Sequence, residues 1–243
     1  MKNIIEELRK DESYYGDFGS KYLSNSSVGV LLSNPKLFGV KQPPTVPMLR
    51  GSYFHTAILE PHKLDSFEIV EASTRSTNIY KDAVSHSSSE ILLLKNEVED
   101  LEEMIKTIKS NFYFYENIYR EGNIFEEPAV GEIFGLPFKG KADIVSKDIL
   151  IDIKTTSSVR DFRYSAKKYN YDSQCYIYSQ LFGKPLVFYV IDSATKELAV
   201  FEPSEDFILG GRDKVMRAIE VYKKFFSKDA TEDINNYFIQ DTL

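Results

Sequence analysis

The stretch from Gly140 to Thr156, GKADIVSKDILIDIKTT, places charged side chains in a sequence that otherwise has the pattern of two buried β-strands. Asp143, Asp152 and Lys154 are surrounded there by isoleucine, valine and leucine. A charge in a buried strand is costly unless a partner compensates it. Because side chains alternate between the two faces of a strand, Asp152 and Lys154 point the same way. A tight turn between the strands brings Asp143 beside them, so we expect the three charges to meet.

Two converging carboxylates form an oxygen-rich site that suits Mg²⁺ or Mn²⁺. Lys154 beside such an ion can orient a water molecule or help to deprotonate it, and it can stabilise charge that develops on a phosphate. The carbonyl group of Ile153, between Asp152 and Lys154, is a candidate further ligand. The alternative is a structural ion pair, which is the commoner meaning of a single D-x-K tripeptide.

The composition limits the other kinds of site. A chain of 243 residues, 42% of them hydrophobic, is long enough for one domain with a sizeable core. The single cysteine, Cys175, excludes a disulfide framework and a four-cysteine iron–sulfur or zinc site within one chain. The sequence shows neither a signal-peptide pattern nor an apolar run of about 18 residues, so we expect no membrane contact and a cytoplasmic location. A net charge of −7 still permits a local basic surface for nucleic acid.

The spacing of apolar residues changes along the chain. Helical spacing predominates up to about residue 121, apart from a polar, serine-rich loop expected at 72–88. From residue 122, a three-stranded meander, a helix, two further strands and a closing helix are predicted. This order indicates an α/β fold with a mixed central β-sheet flanked by helices and an N-terminal helical part. We expect one domain over residues 1–243, with the sheet and its helices at 122–228 and a tail at 229–243. The predicted helices are 26–36, 51–59, 89–119, 171–182 and 205–228, with a loop at 42–47, and the predicted strands are 66–71, 126–134, 138–146, 148–154, 185–192 and 197–204.

Four sequence blocks resemble the PD-(D/E)xK nuclease superfamily, and within it the RecB-like and RecE-like exonucleases that are common in phages. The stretch at 140–156 is similar to the pattern G-x-x-D followed by a hydrophobic residue and D-x-K-T-[TS]. GSYFHTAILEP at 51–61 resembles G-x-x-x-H-x-x-x-L-E-P, and YNYDSQCYIYSQLFG at 169–183 resembles Y-x-x-Q-x-x-x-Y. LLSNPKLFG at 31–39 is similar to an early helix that ends in a proline and an aromatic residue. The blocks follow the family order, with Ala142 in place of the proline of the name.

The resemblance implies a restriction-endonuclease-like core and assigns roles to individual residues. His55 takes the place of the metal-binding histidine, with Asp143 and Asp152 as the other ligands. The alternative for a lone helical histidine is a packed, hydrogen-bonded residue. The family often has a glutamate on the strand before Asp143, and Glu127 aligns best with it, as a ligand of a second ion or a support for Lys154. A solvated strand end is the alternative for Glu127.

Substrate-binding residues are predicted around this centre. The segment SVRDFRYSAKKYNY at 158–171 mixes basic residues, which neutralise phosphates, with aromatic rings, which stack on bases. An ordinary basic surface helix is the alternative. Gln174 and Tyr178 lie one helical turn apart and share a face, and by resemblance they contact the substrate phosphate or support the site. The predicted substrate-binding residues are Gln174, Tyr178, Arg160, Arg163, Lys141 and Thr155.

The function that the resemblance implies is a metal-dependent DNA exonuclease of phage-type recombination, repair or degradation, with one or two Mg²⁺ or Mn²⁺ ions and no iron–sulfur cluster. Two alternatives remain at this point: a structure-specific endonuclease on the same scaffold, and a non-catalytic DNA-binding module that acts with a recombination partner. By resemblance, the substrates are double-stranded DNA ends or single strands. A homo-oligomeric ring, a single-strand annealing or binding protein as partner, and the host cytoplasm for a phage-encoded chain are further expectations.

Overall fold

The chain folds around a mixed β-sheet with helices on both faces. The structure is a computed structural model that describes residues 2–240. The helices are α1 Lys2–Leu8, α2 Asp11–Tyr15, α3 Asn25–Ser33, α4 Val46–Leu59, α5 Asn78–His86, α6 Lys95–Ser110, α7 Phe112–Ile118, α8 Phe162–Lys168, α9 Tyr171–Phe182 and α10 Glu205–Phe225. The strands are β1 Ile69–Val70, β2 Leu93–Leu94, β3 Ile124–Ile133, β4 Leu136–Val145, β5 Leu150–Thr156, β6 Leu186–Asp192 and β7 Leu198–Phe201. Short 3₁₀ helices lie at Gly19–Lys21, Pro35–Leu37, Pro61–Ser66 and Ile234–Asn236.

Strands β3 to β7 form the main sheet, which has five strands within residues 2–240, in the same order in space as along the chain. Neighbouring strands are antiparallel except β5 and β6, which are parallel. A parallel pair needs a crossover connection, and α8 and α9 supply it. The fold class predicted from the sequence, a mixed central sheet flanked by helices, is confirmed.

Apolar side chains cover both faces of this sheet. On one face, α3, α9 and α10 pack against residues such as Phe138 and Phe188. On the other face, α4, α6 and α7 pack against residues such as Ile151 and Tyr189. Strand β6 is buried along its whole length because its side chains alternate between the two layers. The nearly all-apolar sequence of β6 therefore follows from its place inside the sheet.

Two segments predicted as loops are partly helical. The loop predicted at 42–47 ends early, because α4 begins at Val46. The side chain of Thr45 caps this helix by accepting a hydrogen bond from the N–H of Met48, and Pro47 fits the first turn. The polar loop predicted at 72–88 contains α5, whose first turn is capped by Thr77. In both cases a threonine cap starts a helix that apolar spacing alone does not indicate.

The single helix predicted at 89–119 begins later, at Lys95, and is interrupted at Asn111. Leu93 and Leu94 form β2, which pairs in parallel with β1. Asn111 then separates α6 from α7, and its side chain accepts a hydrogen bond from the N–H of Phe114. Such local capping competes with continuation of a helix. The apolar spacing runs on across the break because both helices bury residues in the same layer.

The C-terminal part follows α10 as an irregular segment of turns and bends with one 3₁₀ turn at Ile234–Asn236. Of the tail predicted at 229–243, residues 241–243 lie outside the described part of the chain. Among the helices of residues 2–240, none combines the length and the apolar character that crossing a bilayer requires.

Candidate active site

The charged residues of β4 and β5 meet where these two strands diverge. Among the described residues, two cross-strand pairs join these strands, Ile144 with Ile151 and Val145 with Leu150. Beyond these pairs the backbone groups need other partners. The carboxylate of Asp143 provides one by accepting a hydrogen bond from the N–H of Ile153 at 2.8 Å. Asp143 and Asp152 therefore line one cleft that opens between the strands.

Helix α4 brings His55 to the same cleft. The helix buries Phe54 and Ile58 in the core, and His55 lies beside them on the side that faces β4. Its Nδ1 atom is 3.3 Å from Oδ2 of Asp143. His55 and Asp143, which the motif resemblance assigned to one metal centre, are thus in contact.

Glu126 completes this group. It stands opposite Asp143 in the β3–β4 ladder, in which Phe125 pairs with Ile144 and Glu127 pairs with Ala142. Residues that face each other on antiparallel strands have side chains on the same face. The ligand atoms of His55, Glu126 and Asp143 all lie within 4.8 Å of one another. The backbone of Glu126 is left-handed, with φ of 50°, a conformation that is uncommon for residues other than glycine and that clusters at functional sites.

Glu127, the residue predicted as a ligand, lies elsewhere. The β3–β4 ladder pairs it with Ala142, one position away from Asp143. Its Oε2 atom is 2.5 Å from the guanidinium of Arg9, and its Oε1 atom accepts a second bond from the same group at 2.7 Å. The motif resemblance assigned the ligand position near Asp143 to Glu127, and in the structure Glu126 occupies it.

Asp152 and Lys154 form a second polar group on β5. The ammonium of Lys154 lies 2.5 Å from Oδ2 of Asp152 and 5.0 Å from the centre of the Tyr171 ring. Gln174 on α9 donates a hydrogen bond from Nε2 to Oδ1 of Asp152 at 2.5 Å. Within residues 2–240, Oδ2 of Asp152 accepts no hydrogen bond of normal geometry. A buried carboxylate oxygen is thus left with only an ion-pair contact.

Burial and the crowding of charges shift the pKa values of these groups. Burial and the charge of Asp143 raise the pKa of Glu126 to about 7. Burial also raises the pKa of Asp152, and Lys154 offsets this only in part. Burial opposes ionisation of Asp143, but His55 outweighs it and holds the pKa of Asp143 below its ordinary value. Burial disfavours the charge of Lys154, but Asp152 and Asp143 outweigh it and raise its pKa.

This donor set fits a divalent cation. An imidazole and several carboxylates are ligands of Mg²⁺ and Mn²⁺, with the imidazole favouring Mn²⁺. A cation would compensate the crowded carboxylates and give Oδ2 of Asp152, which now contacts only the Lys154 ammonium, a second partner. Burial opposes protonation of His55, but the charge of Asp143 outweighs it and raises the pKa of the imidazole. A metal ion at this position would replace that proton. The N–H of Ile153 is already used by Asp143, and its carbonyl remains a predicted ligand.

The cleft around these residues has a volume of about 780 Å³. Three of the predicted substrate-binding residues, Lys141, Gln174 and Tyr178, line it. Thr155 lines an adjoining cavity of about 410 Å³. The two cavities share Gly51 and Tyr171 in their linings, so they adjoin each other beside the candidate centre, and we refer to them together as the groove.

Arg160 and Arg163 line neither cavity. The guanidinium of Arg160 lies 3.5 Å from Glu197, and that of Arg163 lies 4.9 Å from the centre of the Tyr164 ring. The basic and aromatic segment at 158–171 therefore reaches the groove through Phe162, Ser165, Tyr169 and Tyr171 and not through its arginines.

Gln174 and Tyr178 support the strands of the site. Gln174 holds Asp152 as described, and the hydroxyl of Tyr178 donates to the carbonyl oxygen of Lys141 at 2.8 Å. The Tyr178 ring covers Gly140 so closely that a Cβ atom there would lie 2.8 Å from a ring carbon. The first glycine of the G-x-x-D motif is thus required by the packing of α9 on β4.

Helix α2 also contributes to the cleft, through Asp11, Tyr14 and Tyr15. Asp11 contacts Lys141, from which it is separated by 130 positions in the chain. No local sequence pattern links the two, and the interpretation of the sequence missed them. A signal did exist for Glu126, because the hairpin turn at Gly135 sets the β3–β4 register once its position is known.

The sequence also matches a family as a whole. Residues 36–233 match the family described as "PDDEXK-like domain of unknown function (DUF3799)". The chain belongs to this family. The match includes His55, Glu126, Asp143, Asp152 and Lys154 and begins after α2. The superfamily predicted from the sequence is confirmed, and membership of a nuclease-like family supports a nuclease with DNA as its substrate.

Solved structures provide a second comparison. A candidate exonuclease from Eubacterium rectale has a TM-score of 0.65 at 19% identity, with 96% of this chain and 95% of that chain covered. This similarity shows the shared fold. A phage-related exonuclease from Haemophilus somnus has a TM-score of 0.34 at 15% identity, with 63% and 88% covered. No curated protein matches this chain.

Proposed function

We propose that this protein is a DNA exonuclease that depends on a divalent metal ion and consists of a single nuclease domain. The observation that carries the proposal is the convergence of His55, Glu126 and Asp143, whose ligand atoms lie within 4.8 Å of one another. Asp152 and Lys154 of the D-x-K motif line the same cleft. A non-catalytic module would not need a histidine, three carboxylates and a lysine in one groove.

In this proposal, His55, Glu126 and Asp143, with Oδ2 of Asp152, hold one or two Mg²⁺ or Mn²⁺ ions. Such an ion, when bound, polarises a phosphodiester and lowers the pKa of a water molecule. Glu126 takes the ligand role that we predicted for Glu127 from the sequence. The family supports a divalent metal ion as cofactor, and the choice between Mg²⁺ and Mn²⁺ is part of the proposal.

The remaining residues orient the substrate and the ligands. Lys154 has a raised pKa and stays protonated at neutral pH, so it acts as a cation that stabilises charge developing on the phosphate. Gln174 holds Asp152 in position. The groove on either side of Lys154 accommodates a DNA strand, with Thr155 on one side and Lys141 on the other.

Digestion from DNA ends and a role in recombination, repair or degradation are supported by two observations. One is the resemblance of the motifs to RecB-like and RecE-like exonucleases. The other is the similarity in fold to the Eubacterium rectale protein, which is described as an exonuclease candidate. The ring assembly, the annealing partner and the cytoplasmic location expected from the sequence stay predictions.

The test compares linear duplex DNA with covalently closed circular DNA in Mn²⁺. We expect nucleotides to be released from the linear form while closed circles stay intact. Lys154→Ala should lower the rate by about 100-fold or more, as loss of a transition-state charge contact does. Lys147→Ala, an exposed lysine in the β4–β5 turn, is the matched control and should keep the wild-type rate. Cleavage of closed circles would indicate the endonuclease, and activity that survives Lys154→Ala with Asp152→Ala would refute the proposed site.

A further inference from the structure

Asp11 lies between two lysines at the edge of the cleft. Its Oδ1 atom is 2.6 Å from Nζ of Lys141, and its Oδ2 atom is 3.4 Å from Nζ of Lys63. Lys141 is on β4, which carries Asp143, and Lys63 is in the 3₁₀ helix that directly follows α4, which carries His55. Lys63 also contacts Oε1 of Glu60 at 2.7 Å, so Asp11 is the more distant of its two partners, and Lys141 is the cation that depends on Asp11.

Lys141 is held in place by its surroundings. Its side chain is only 7% exposed, and its Nζ atom lies 4.7 Å from the centre of the Tyr14 ring. A buried ammonium needs an anionic partner. Among the described residues, Asp11 is the carboxylate that lies within 4.0 Å of it. The cation is therefore fixed, and its partner comes from a separate element.

Asp11, in contrast, lies in an exposed position. Its side chain is 53% exposed, and it is the first residue of α2, a helix of five residues without a side-chain cap at its start. So short a helix has little stability of its own. Ion pairs with such an exposed partner contribute little to stability and are readily exchanged.

The contact between Asp11 and Lys141 lies where a second phosphate of a DNA strand would pass. Lys141 is two residues before Asp143, about 6.8 Å along the strand, and both line the same cleft. A strand whose scissile phosphate is near His55 and Asp143 would bring a neighbouring phosphate towards Lys141. A carboxylate between two ammonium groups resembles such a phosphate in charge and in hydrogen bonding.

We propose that Lys141 and Lys63 form a binding subsite for a phosphate of the DNA strand, and that Asp11 occupies this subsite until DNA displaces it. This inference rests on the proposed function, because it assumes that DNA enters the cleft. It adds a competitor within the chain, on a segment that precedes the family match at residue 36. A DNA phosphate can contact Lys141 only after Asp11 of α2 has moved away from it.

The test measures the affinity of a short fluorescein-labelled DNA duplex by anisotropy in EDTA, so that binding is separated from metal-dependent cleavage. Asp11→Asn should bind the duplex about fivefold more tightly, the change that corresponds to losing one partly exposed ion pair. Glu12→Gln removes the same charge from the next position of α2, which is exposed, and should leave the affinity unchanged. Lys141→Gln should weaken binding, and adding Asp11→Asn to it should then give no gain.

Two results would overturn the inference. One is an Asp11→Asn variant that binds no more tightly than the wild type. The other is a gain that persists in the Lys141→Gln background, since that gain would come from the general charge of α2. If Asp11→Asn does not fold, amide hydrogen exchange of α2 in the wild type provides the test. Faster exchange in the presence of DNA supports displacement of Asp11, and slower or unchanged exchange contradicts it. Absence of metal-dependent cleavage would refute the proposed function without affecting these binding results.

Discussion

Gly51 is the first residue of the G-x-x-x-H motif, and packing does not explain it. A Cβ atom built there would have open space within 4 Å, although Gly51 lies in the interior of α4. Glycine in a helix interior costs about 0.5–1 kcal/mol relative to alanine. Gly51 also borders both cavities of the groove, so we infer that its missing side chain lets DNA approach the helix.

We therefore expect Gly51→Ala to raise the free energy of unfolding by about 0.5–1 kcal/mol while it lowers the rate of DNA cleavage. Denaturant unfolding and nucleotide release measure the two effects on the same preparation. A variant that is more stable and fully active would show that the groove does not pass Gly51.

Gly140 provides the opposite case. A Cβ atom there would lie 2.8 Å from the ring of Tyr178 and 3.2 Å from a side-chain carbon of Leu181. Overpacking of this kind typically costs about 1–3 kcal/mol. We expect Gly140→Ala to lower the urea midpoint accordingly, and to lower it by less in a Tyr178→Leu background, where the clashing ring is absent. An unchanged midpoint in the single variant would show that α9 can move away from β4 without cost.

Gln174 is a positioning residue for Asp152, because it donates to Oδ1 of that buried carboxylate. Replacing such a supporting group typically lowers metal affinity or activity by about 10- to 100-fold. We expect this loss for Gln174→Leu, together with a higher Mn²⁺ concentration for half-maximal activity. Gln180→Leu, at an exposed position of the same helix, should behave as the wild type. Equal effects of the two substitutions would contradict the role of Gln174.

At the scale of elements, the end of β6 fixes the loop that follows β5. Asp192 accepts a hydrogen bond from the N–H of Val159 at 3.1 Å. It also accepts bonds from the N–H groups of Ala194 and Thr195, at 2.9 and 3.0 Å. One carboxylate thus joins the β6–β7 turn to the segment that leaves the strand of Lys154.

We expect Asp192→Ala to lower the free energy of unfolding by about 1–3 kcal/mol, because a buried N–H is left without an acceptor. Backbone N–H donors, that of Thr195 first, hold the pKa of Asp192 below its ordinary value. The stabilisation is therefore present above the unfolded-state pKa of about 3.9 and is lost as the pH falls through the folded-state pKa. Urea unfolding at pH 7 and under acidic conditions should show the difference between wild type and variant shrinking. Asp148→Ala, in the exposed β4–β5 turn, should have the free energy of unfolding of the wild type at both pH values.

At the scale of the whole molecule, the candidate centre joins α4, β3 and β4, so a bound ion should stabilise the fold. Ligand at 100 times its dissociation constant adds about 2.7 kcal/mol, which corresponds to a Tm increase of about 5–10 °C for a protein of this size. We expect this increase with Mn²⁺ and its reversal by EDTA. His55→Ala should lose it and His62→Ala, at an exposed position, should keep it. An equal increase in His55→Ala would place the ion elsewhere.

Much of the fold and part of the candidate site follow from local sequence. Alternation along β5 puts Asp152 and Lys154 together, and the continuous apolar run of β6 marks a strand covered on both faces. Helical spacing on α9 places Gln174 and Tyr178 on one face, where both reach the strands of the site. These features depend on residues a few positions apart, whose geometry is set by the repeat of a helix or strand.

Other features depend on register and packing between distant segments. The turn at Gly135 and the β3–β4 ladder decide that Glu126, and not Glu127, faces Asp143, since a shift of one residue moves a side chain to the other face. The contact of Asp11 with Lys141 joins segments 130 residues apart. The register of β3 on β4 follows from the sequence only once the position of the turn is known. The contact between Asp11 and Lys141 follows from no local pattern, because it results from how whole elements pack against one another. Local spacing therefore predicts candidate residues for the site, and long-range packing selects which residues meet there.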